Sequence, residues 1–251
     1  MTFRFFSTLA AAALALPALI GVALAEETAR PAGVVELFTS QGCSSCPPAD
    51  ALLAELAARD DIVALAYHVD YWDYLGWRDT LGSPENTARQ HGYGKSFGIR
   101  SVYTPQAVIN GRIHVNGSSR AKVWDAVEDL KGSGDGLAVG LTITRAGESV
   151  VIDAEAAKGE AKKAHLVVVY FEPTQPVTIE RGENAGRTVT YWNAVSDIQT
   201  AGMWHGKAAR FELPASEVSK KGGCAVLLQS VSKDGLPGPI LGAAIIRNPG
   251  S

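Results

Sequence analysis

The pattern of apolar and polar residues predicts a strand, a helix and a second strand at the start of the chain. Residues 34–38 form an apolar, β-prone run, and residues 46–59 have apolar positions at helical spacing. Residues 62–69 are apolar on both faces, which is typical of a central parallel strand covered by helices. This order predicts a βαβ unit with a right-handed crossover.

A second helix and a hairpin are predicted next. Ser83 followed by Pro84 is typical of a helix start, with Ser83 as the cap and Pro84 at the first helical position. Residues 102–116 predict a β-hairpin, because Asn110-Gly111 favours a type I′ turn between two short strands.

The pattern changes at a glycine-rich linker, residues 131–136. Before the linker, Ser118 is expected to cap an amphipathic helix; beyond it, no convincing helix is found and short alternating runs predict strands. The strand candidates are residues 137–145, 149–155, 164–171, 177–180, 188–192, 210–213, 224–231 and 240–246. We therefore predict two domains, an α/β domain of residues 26–133 and a smaller all-β, sandwich-like domain of residues 137–251.

Residues 1–25 have the features of a secretory signal peptide. Arg4 is followed by a run rich in Ala, Leu, Ile and Val, and Ala23-Leu24-Ala25 has the small–x–small form of a cleavage site. The alternative is an uncleaved membrane anchor, although no second apolar run of spanning length follows. Cleavage after Ala25 predicts a periplasmic or secreted protein without membrane attachment, in a compartment that permits disulfides.

The composition gives no sign of a polyanionic partner. The chain is 46% hydrophobic and 20% charged, with a net charge of −3. Because the chain has no basic excess, we expect it to bind neither nucleic acid nor an anionic membrane surface. The candidate chemistry therefore rests on its cysteines.

Two of the three cysteines, Cys43 and Cys46, form a C-x-x-C pair between the first strand and the first helix. In this position the pair is typical of a thioredoxin-like redox site. The unpaired N–H groups and the positive end of the helix dipole are expected to lower the pKa of the Cys43 thiol. Cys43 would then attack a disulfide, and Cys46 would resolve the mixed disulfide. Cys224 lies in an apolar run and is expected to be a core residue rather than a resolving thiol.

Two other interpretations of the cysteine pair are open. The pair could be a static structural disulfide in a non-enzymatic binding protein whose β domain does the binding. It could also bind Cu(I) together with His68 or His114, since Cu(I) favours thiolates and accepts imidazole as a third ligand. In the redox interpretation no cofactor is needed, because the dithiol carries the electrons, and the partner is a protein or a small thiol or disulfide.

An aromatic-rich segment, residues 70–79, follows the second strand of the βαβ unit. The carboxyl ends of such strands are where open α/β sheets place their ligands. Trp72 and Trp77 are therefore candidates for substrate contact; alternatively, they fill a core beneath a long loop.

A glycine-containing loop, residues 182–187, joins two predicted strands. It is either a simple hairpin loop or a segment that, with Asn184 and Arg187, packs near the cysteines and shapes access to them. In the second case Arg187 would contact substrate, and its charge would further lower the pKa of the Cys43 thiol.

The first half resembles the thioredoxin fold in the order of its elements, with Thr104-Pro105 just before the first hairpin strand. The whole chain resembles DUF1223, a bacterial secreted family of unknown function. The residues that carry this resemblance are 36–50, 68–73, 104–106 and 182–187. It implies a thioredoxin-like fold and export, and it supplies neither a substrate nor an established activity.

The resemblance to thioredoxins also implies roles for individual residues. In that fold a cis proline faces the active-site pair, and Pro105 matches it, so that Pro105 and Thr104 would shape a substrate groove. A buried acid lies below the cysteines in that fold, and Glu36 is the nearest match, which implies a proton acceptor for Cys46. These expectations combine to predict an exported thiol–disulfide oxidoreductase in which Cys43 is the attacking thiolate.

Overall fold

Four α-helices and one short 3₁₀ helix are present in the computed structural model, which describes residues 30–158 and 163–247. The helices are α1 (Pro47–Ala57), α2 (Pro84–Ser96), α3 (Arg120–Gly132) and α4 (Ala215–Ser219), and the 3₁₀ helix is Asp73–Leu75. No helix in the described ranges has the length and apolar character needed to span a membrane. The predicted signal peptide, residues 1–25, lies outside the described residues.

Eleven strands make up the rest of the regular structure in the described ranges. Those before residue 133 are β1 (Gly33–Thr39), β2 (Ile62–His68), β3 (Gln106–Ile109) and β4 (Ile113–Asn116). Those after it are β5 (Leu141–Ala146), β6 (Ser149–Ala154), β7 (Ala164–Thr178), β8 (Thr188–Trp204), β9 (Ala209–Pro214), β10 (Gly223–Val231) and β11 (Pro237–Arg247).

The local signals of the first half correspond to these elements. Ser83 caps α2 by accepting a hydrogen bond from the backbone N–H of Asn86, and Pro84 is the first helical residue. The β3–β4 turn has positive φ at both central residues, Asn110 (49°) and Gly111 (62°), as a type I′ turn requires. Helix α3 begins one residue later than predicted, because Ser119 rather than Ser118 is its first flanking residue.

One large mixed sheet of eight strands crosses the predicted domain boundary. Its order is β11-β10-β7-β8-β2-β1-β3-β4, and a second sheet contains β5, β6 and β9. Strands β2 and β8 are parallel neighbours, joined where Ala66 pairs with Ala194. The chain is therefore an α/β protein with a large mixed sheet, and the expected arrangement of an α/β domain followed by an all-β domain is corrected. Periodicity identifies strands but does not specify which strands pair.

Two further expectations for the second half need correction. The predicted strands 164–171 and 177–180 are one long strand, β7, whose hairpin partner β8 continues to Trp204. The expectation that this half contains no helix is wrong, because α4 is helical. With five residues, α4 is too short to produce a recognisable hydrophobic period.

Among the described residues, three hydrophobic cores lie against the sheets. One is between the large sheet and helices α1 and α3, and includes Leu37, Leu53 and Val127. A second contains residues from both halves of the chain, including Leu65 of β2 and Leu227 of β10. Because this core is shared, the two halves stabilise each other.

The third core lies between the two sheets. It joins residues of β5 and β6 to residues of β7, β10 and β11, with Trp204 completely buried among them. Face-to-face sheet packing, which was expected for the second half, occurs here.

Candidate functional site

A disulfide joins Cys43 and Cys46 at the amino-terminal end of α1. Cys46 flanks the helix, and its carbonyl accepts hydrogen bonds from the backbone N–H groups of Ala49 and Asp50. Cys43 is 2% exposed and Cys46 is fully buried, whereas Ser44 and Ser45 between them are exposed. The pair therefore lies at the predicted strand-to-helix boundary, with its middle residues facing solvent.

Two distant segments hold the loop that precedes the disulfide. The backbone N–H of Gln41 donates to Oδ2 of Asp79 at 2.8 Å. The side-chain amide of Asn184 donates to the backbone oxygens of Gln41 and Cys43, at 2.9 Å each. The side-chain oxygen of Gln41 in turn accepts from the indole N–H of Trp77 at 2.8 Å. These bonds fix the backbone from which Cys43 projects.

Trp72 and Thr104 form one side of the site. The indole N–H of Trp72 donates to Oγ1 of Thr104 at 2.8 Å. Oγ of Ser45 lies 3.5 Å from the backbone oxygen of Thr104, and the Thr104–Pro105 peptide is cis. Trp72 also lies close to Gly42, where a β-carbon would be 3.1 Å from Cβ of Trp72. The candidates Trp72, Thr104 and Pro105 are therefore brought beside the cysteine loop.

The 182–187 loop reaches the site through Asn184, not through Arg187. Asn184 is buried, while the side chain of Arg187 is exposed. A β-carbon on Gly182, whose φ is +76°, would lie 3.3 Å from Cβ of Trp77, so the loop also approaches the aromatic segment. The loop is thus part of the site, and Asn184 is the residue that fixes it there.

Glu36 lies on the opposite face of the sheet from α1. Its carboxylate accepts hydrogen bonds from Nε of Arg89, at 2.7 Å, and from the hydroxyl of Tyr93, both on α2. Side chains alternate between the faces of a strand, so Glu36 faces α2, whereas its neighbours Val35 and Leu37 face α1. The structure therefore places Glu36 in a buried ion pair away from Cys46.

Another buried acid, Asp50, lies on α1, on the opposite side of the large sheet from Glu36. Asp50 is four residues after Cys46 and accepts a hydrogen bond at Oδ1 from the hydroxyl of Thr39, at 2.7 Å. Its Oδ2 has no hydrogen-bond partner among the described residues. Burial raises the pKa of Asp50 to about 7, and this effect exceeds the opposing effects of His68 and Thr39.

His68 pairs with Thr39 in the β1–β2 ladder and is completely buried. Its Nδ1 lies 2.8 Å from Oδ2 of Asp79, and its ring meets Tyr191 edge-on at 4.5 Å. Burial lowers the pKa of His68, but the charge and hydrogen bond of Asp79, together with the charge of Asp50, raise it to a net value above 6.5. Burial raises the pKa of Asp79, but the charge and the hydrogen bond of His68 hold this pKa below its usual value.

Sequence reasoning missed Asp50 and Asp79, and it considered Asn184 only as part of the 182–187 loop that would pack near the cysteines. Of these, Asp50 had a detectable signal, because it is a carboxylate on the apolar stripe of α1, between Ala49 and Leu53. Asp79 and Asn184 lie in segments without a period, so their contacts with Gln41 depend on tertiary structure.

The histidines of the copper alternative lie in different places. His68 is buried with Asp79, whereas Nδ1 of His114, on β4, lies 3.0 Å from the hydroxyl of Tyr103. Within residues 30–158 and 163–247, no group of three or more His, Cys, Asp or Glu side chains could hold a metal ion. The arrangement therefore gives no support to a site formed by Cys43, Cys46 and His68.

The third cysteine lies in the core between the two sheets. Cys224 is fully buried on β10, and burial raises the pKa of its thiol to about 12. A thiol in this environment is inert at neutral pH, which is what its apolar sequence context predicted.

A family model described as a protein of unknown function, DUF1223, matches residues 34–229. The chain belongs to the DUF1223 family. The matched region of this DUF1223 protein includes Cys43, Asp50, His68, Pro105 and Asn184. The resemblance found in the sequence is thereby confirmed.

Two solved structures are similar to this DUF1223 protein. A crystal structure of a structural-genomics target from Agrobacterium tumefaciens has 47% sequence identity and a TM-score of 0.81, and the match covers 88% of this chain and 96% of that chain. HBP35 of Porphyromonas gingivalis has 15% identity and a TM-score of 0.56, with 88% of this chain and 76% of that chain covered. At this identity, HBP35 shares only the fold. No match was found among the curated proteins.

Proposed function

We propose that this DUF1223 protein is an exported thiol–disulfide oxidoreductase with a thioredoxin-like site. The observation that carries the proposal is the Cys43–Cys46 disulfide at the start of α1, beside Thr104 and Pro105. A helix start favours a thiolate on Cys43, and a second cysteine one turn away can resolve a mixed disulfide.

The reaction follows from the two sulfurs. In the reducing direction, the Cys43 thiolate attacks one sulfur of a substrate disulfide, and the other sulfur leaves as a thiolate with the electron pair of the broken bond. Cys46 then attacks Cys43, which forms the Cys43–Cys46 disulfide and releases the second substrate thiolate. The dithiol supplies both electrons, so no cofactor takes part.

The surface around the disulfide suits a polypeptide or a small thiol or disulfide. Trp72, Trp77 and Thr104 lie beside the cysteine loop, and Tyr74 of the same aromatic segment is 79% exposed. Aromatic side chains that are polar at one edge are common where one protein binds another. In this proposal Pro105 and Thr104 shape the substrate groove, and the exposed Arg187 contacts the substrate at its edge.

Export is part of the same proposal. A signal peptide at residues 1–25, cleaved after Ala25, would deliver the protein to the periplasm or the medium. In such a compartment a Cys43–Cys46 disulfide forms and persists, and thiol-bearing substrates are themselves oxidised.

The deciding experiment measures the equilibrium of the Cys43–Cys46 pair with glutathione and its exchange with a peptide disulfide. Cys43→Ser should abolish exchange, and Cys46→Ser should accumulate a mixed disulfide through Cys43. Cys224→Ser is the matched control and should exchange like the unaltered protein. If Cys43→Ser exchanges as fast as the unaltered protein, the proposal is wrong.

A second candidate function is a non-enzymatic binding protein with a structural disulfide. The observation in its favour is the burial of both sulfurs, since Cys43 is only 2% exposed. It predicts a Cys43–Cys46 bond that glutathione cannot reduce, as is typical of structural disulfides. The glutathione equilibrium therefore separates the two functions.

A further inference from the structure

We propose that the cleft between α2 and strands β7, β8 and β10 binds a small apolar molecule that carries one carboxylate group. The cleft has a volume of about 710 Å³, within the range of about 300–1,000 Å³ that is usual for small-molecule sites. It lies on the α2 side of the large sheet, whereas the cysteine pair precedes α1 on the other side. Binding in this cleft is therefore a function separate from the proposed thiol–disulfide exchange.

Helix α2 leaves the cleft open because its residues beside the strands are small. Ala88 and Gly92, which are four residues apart and so neighbours on one face of α2, both line the cleft. A β-carbon at Gly92 would lie 2.8 Å from Cδ of Pro237, and Oγ of Ser96 donates to the backbone oxygen of Pro237 at 2.7 Å. These contacts fix the carboxyl-terminal half of α2 against β11, so the cleft is preformed.

The wall of the cleft is mostly apolar and is partly open to solvent. Its apolar side chains come from α2, the strands and the loop between β10 and β11: Ala88, Val167, Ile198, Val231, Leu236 and Pro237. Of these, Ile198, Val231 and Leu236 are only half-buried. An apolar ligand that covered them would remove their surface from water, which is the dominant favourable term in the binding of apolar groups.

Arg89 lines the cleft with a guanidinium group whose orientation is already fixed. Its Nε donates to Glu36 at 2.7 Å, and its Nη2 donates to the hydroxyl of Tyr93 at 3.2 Å and to Oε1 of Gln229 at 3.0 Å. Its Nη1 makes no hydrogen bond with any residue that the structure describes, and the side chain is 9% exposed. Nη1 is therefore available to a ligand oxygen, at little cost in ordering the side chain.

The other charged and polar groups of the cleft favour an anion. Lys95 and His91 on α2 are exposed, and His165 on β7 is half-buried. Glu85 is the single acidic residue among the described residues that line the cleft. A ligand with a negative end would place that end near Arg89 and Lys95, where hydrogen bonds to charged donors are strong, and its apolar part against the wall.

One negative charge suits the cleft better than two. The carboxylate of Glu36 is fully buried and already lies 2.7 Å from the guanidinium of Arg89. A phosphate dianion bound to Arg89 would lie close to this second negative group, and like charges repel each other. A carboxylate brings half of that charge, so the ligand class is a monocarboxylate with an apolar body, such as a medium-chain fatty acid.

The test is a calorimetric titration of the purified protein at pH 7 with octanoate, octan-1-ol and octyltrimethylammonium, which share one chain length. Octanoate is expected to bind with one molecule per chain. Octan-1-ol should bind at least tenfold more weakly, because it lacks the charge, and octyltrimethylammonium should not bind. Failure of octanoate to bind, or equal affinity for the cation, would overturn the proposal.

Two matched pairs of variants locate the bound octanoate. Ala88→Trp fills the cleft from an exposed position on α2 and should abolish binding, whereas Ala121→Trp, at an exposed position on α3, should not change it. Lys95→Glu reverses an exposed charge at the cleft and should weaken binding at least tenfold, whereas Lys122→Glu on α3 should have no effect. If Ala88→Trp and Lys95→Glu both bind octanoate like the unaltered protein, the assignment is wrong.

Other occupants of the cleft give different results in the same experiments. If inorganic phosphate displaces octanoate at equal concentration, the cleft takes phosphoryl groups and the carboxylate assignment fails. If Ala88→Trp changes the oligomeric state but not the affinity for octanoate, the cleft is an interface between two copies of the chain and the assignment also fails. Cys43→Ser should bind octanoate normally, so a failure of the proposed redox function would leave this site standing.

Discussion

The side chain of Asn184 donates a hydrogen bond to the backbone oxygen of Cys43 at 2.9 Å, although the two residues are 141 positions apart. The same amide group donates to Gln41, so the loop between β7 and β8 holds the backbone on which the candidate nucleophile lies. This DUF1223 protein therefore builds its cysteine site from both halves of the chain.

Asn184→Ala is expected to destabilise the fold and to expose the disulfide. The variant leaves two buried carbonyl groups without their donor, which costs about 1–3 kcal/mol. Denaturant unfolding should detect this loss, and a phosphine reductant should reduce the Cys43–Cys46 bond faster. Glu183→Ala, at the exposed neighbouring position, is the control. Equal reduction rates in both variants would show that Asn184 does not restrict access.

Trp72→Phe is expected to slow exchange with a peptide disulfide several-fold. The variant keeps an aromatic ring but removes the indole N–H that donates to Thr104, so the segment before Pro105 is held less firmly. The measurement is the second-order rate constant of exchange at pH 7. Trp124→Phe serves as the control, because Trp124 lies on α3 with Arg59 over its ring, has no part in the proposed site and should leave the rate unchanged.

Glu36→Gln is expected to lower the free energy of unfolding by about 3–5 kcal/mol, because it leaves the buried Arg89 without its counter-charge. The rate of thiol–disulfide exchange in the folded variant should be unchanged, since Glu36 faces α2. Glu55→Gln breaks an exposed ion pair with Arg120 and should cause no measurable loss of stability. A loss of exchange in folded Glu36→Gln would instead support Glu36 as the proton acceptor for Cys46, the role that its sequence position suggested.

Gly111→Ala is expected to destabilise the protein more than Gly147→Ala. Both glycines have a positive φ, near +60°, which costs about 1 kcal/mol for any L residue. A β-carbon at Gly111 would in addition lie 2.4 Å from the backbone oxygen of Gly238, at the contact between the β3–β4 turn and β11, whereas Gly147 has open space around it. Thermal unfolding of the two variants tests this contact; equal melting temperatures would contradict it.

The stability of the oxidised protein should depend on pH through Asp50. Its pKa is about 7 in the folded state and 3.8 in an exposed reference state, so the folded protein binds this proton more tightly. Ionisation of Asp50 therefore destabilises the fold as pH rises from about 4 to above 7, by an amount on the order of 4 kcal/mol when complete.

Asp50→Asn removes this effect, and its amide oxygen can still accept the Thr39 hydroxyl. The difference in unfolding free energy between Asp50→Asn and the unaltered protein should grow as pH rises from 4 to 8. Taking the difference cancels the titration of groups that both proteins share. A difference that is constant with pH would contradict the raised pKa of Asp50.

The sequence alone was sufficient to predict the secondary-structure elements around the cysteines. Short-range signals specified β1, α1, β2 and the β3–β4 turn, because hydrophobic periodicity, Pro47 after Cys46 and the Asn110-Gly111 pair act within a few residues. The membership of the DUF1223 family also followed from local motifs. The structure places two of the sequence candidates, Trp72 and Thr104, beside the cysteine loop.

Only the tertiary structure decided how the halves combine and which polar groups meet beneath the disulfide. Strand pairing joins β8 to β2 and so removes the boundary predicted at residues 133–137. Neighbouring side chains on β1 point to opposite faces of the sheet. Glu36 therefore faces α2, whereas Asp50 and His68 lie at the other face of the sheet. No local pattern encodes such a choice of face and partner, since it depends on the packing of segments that are far apart in the chain.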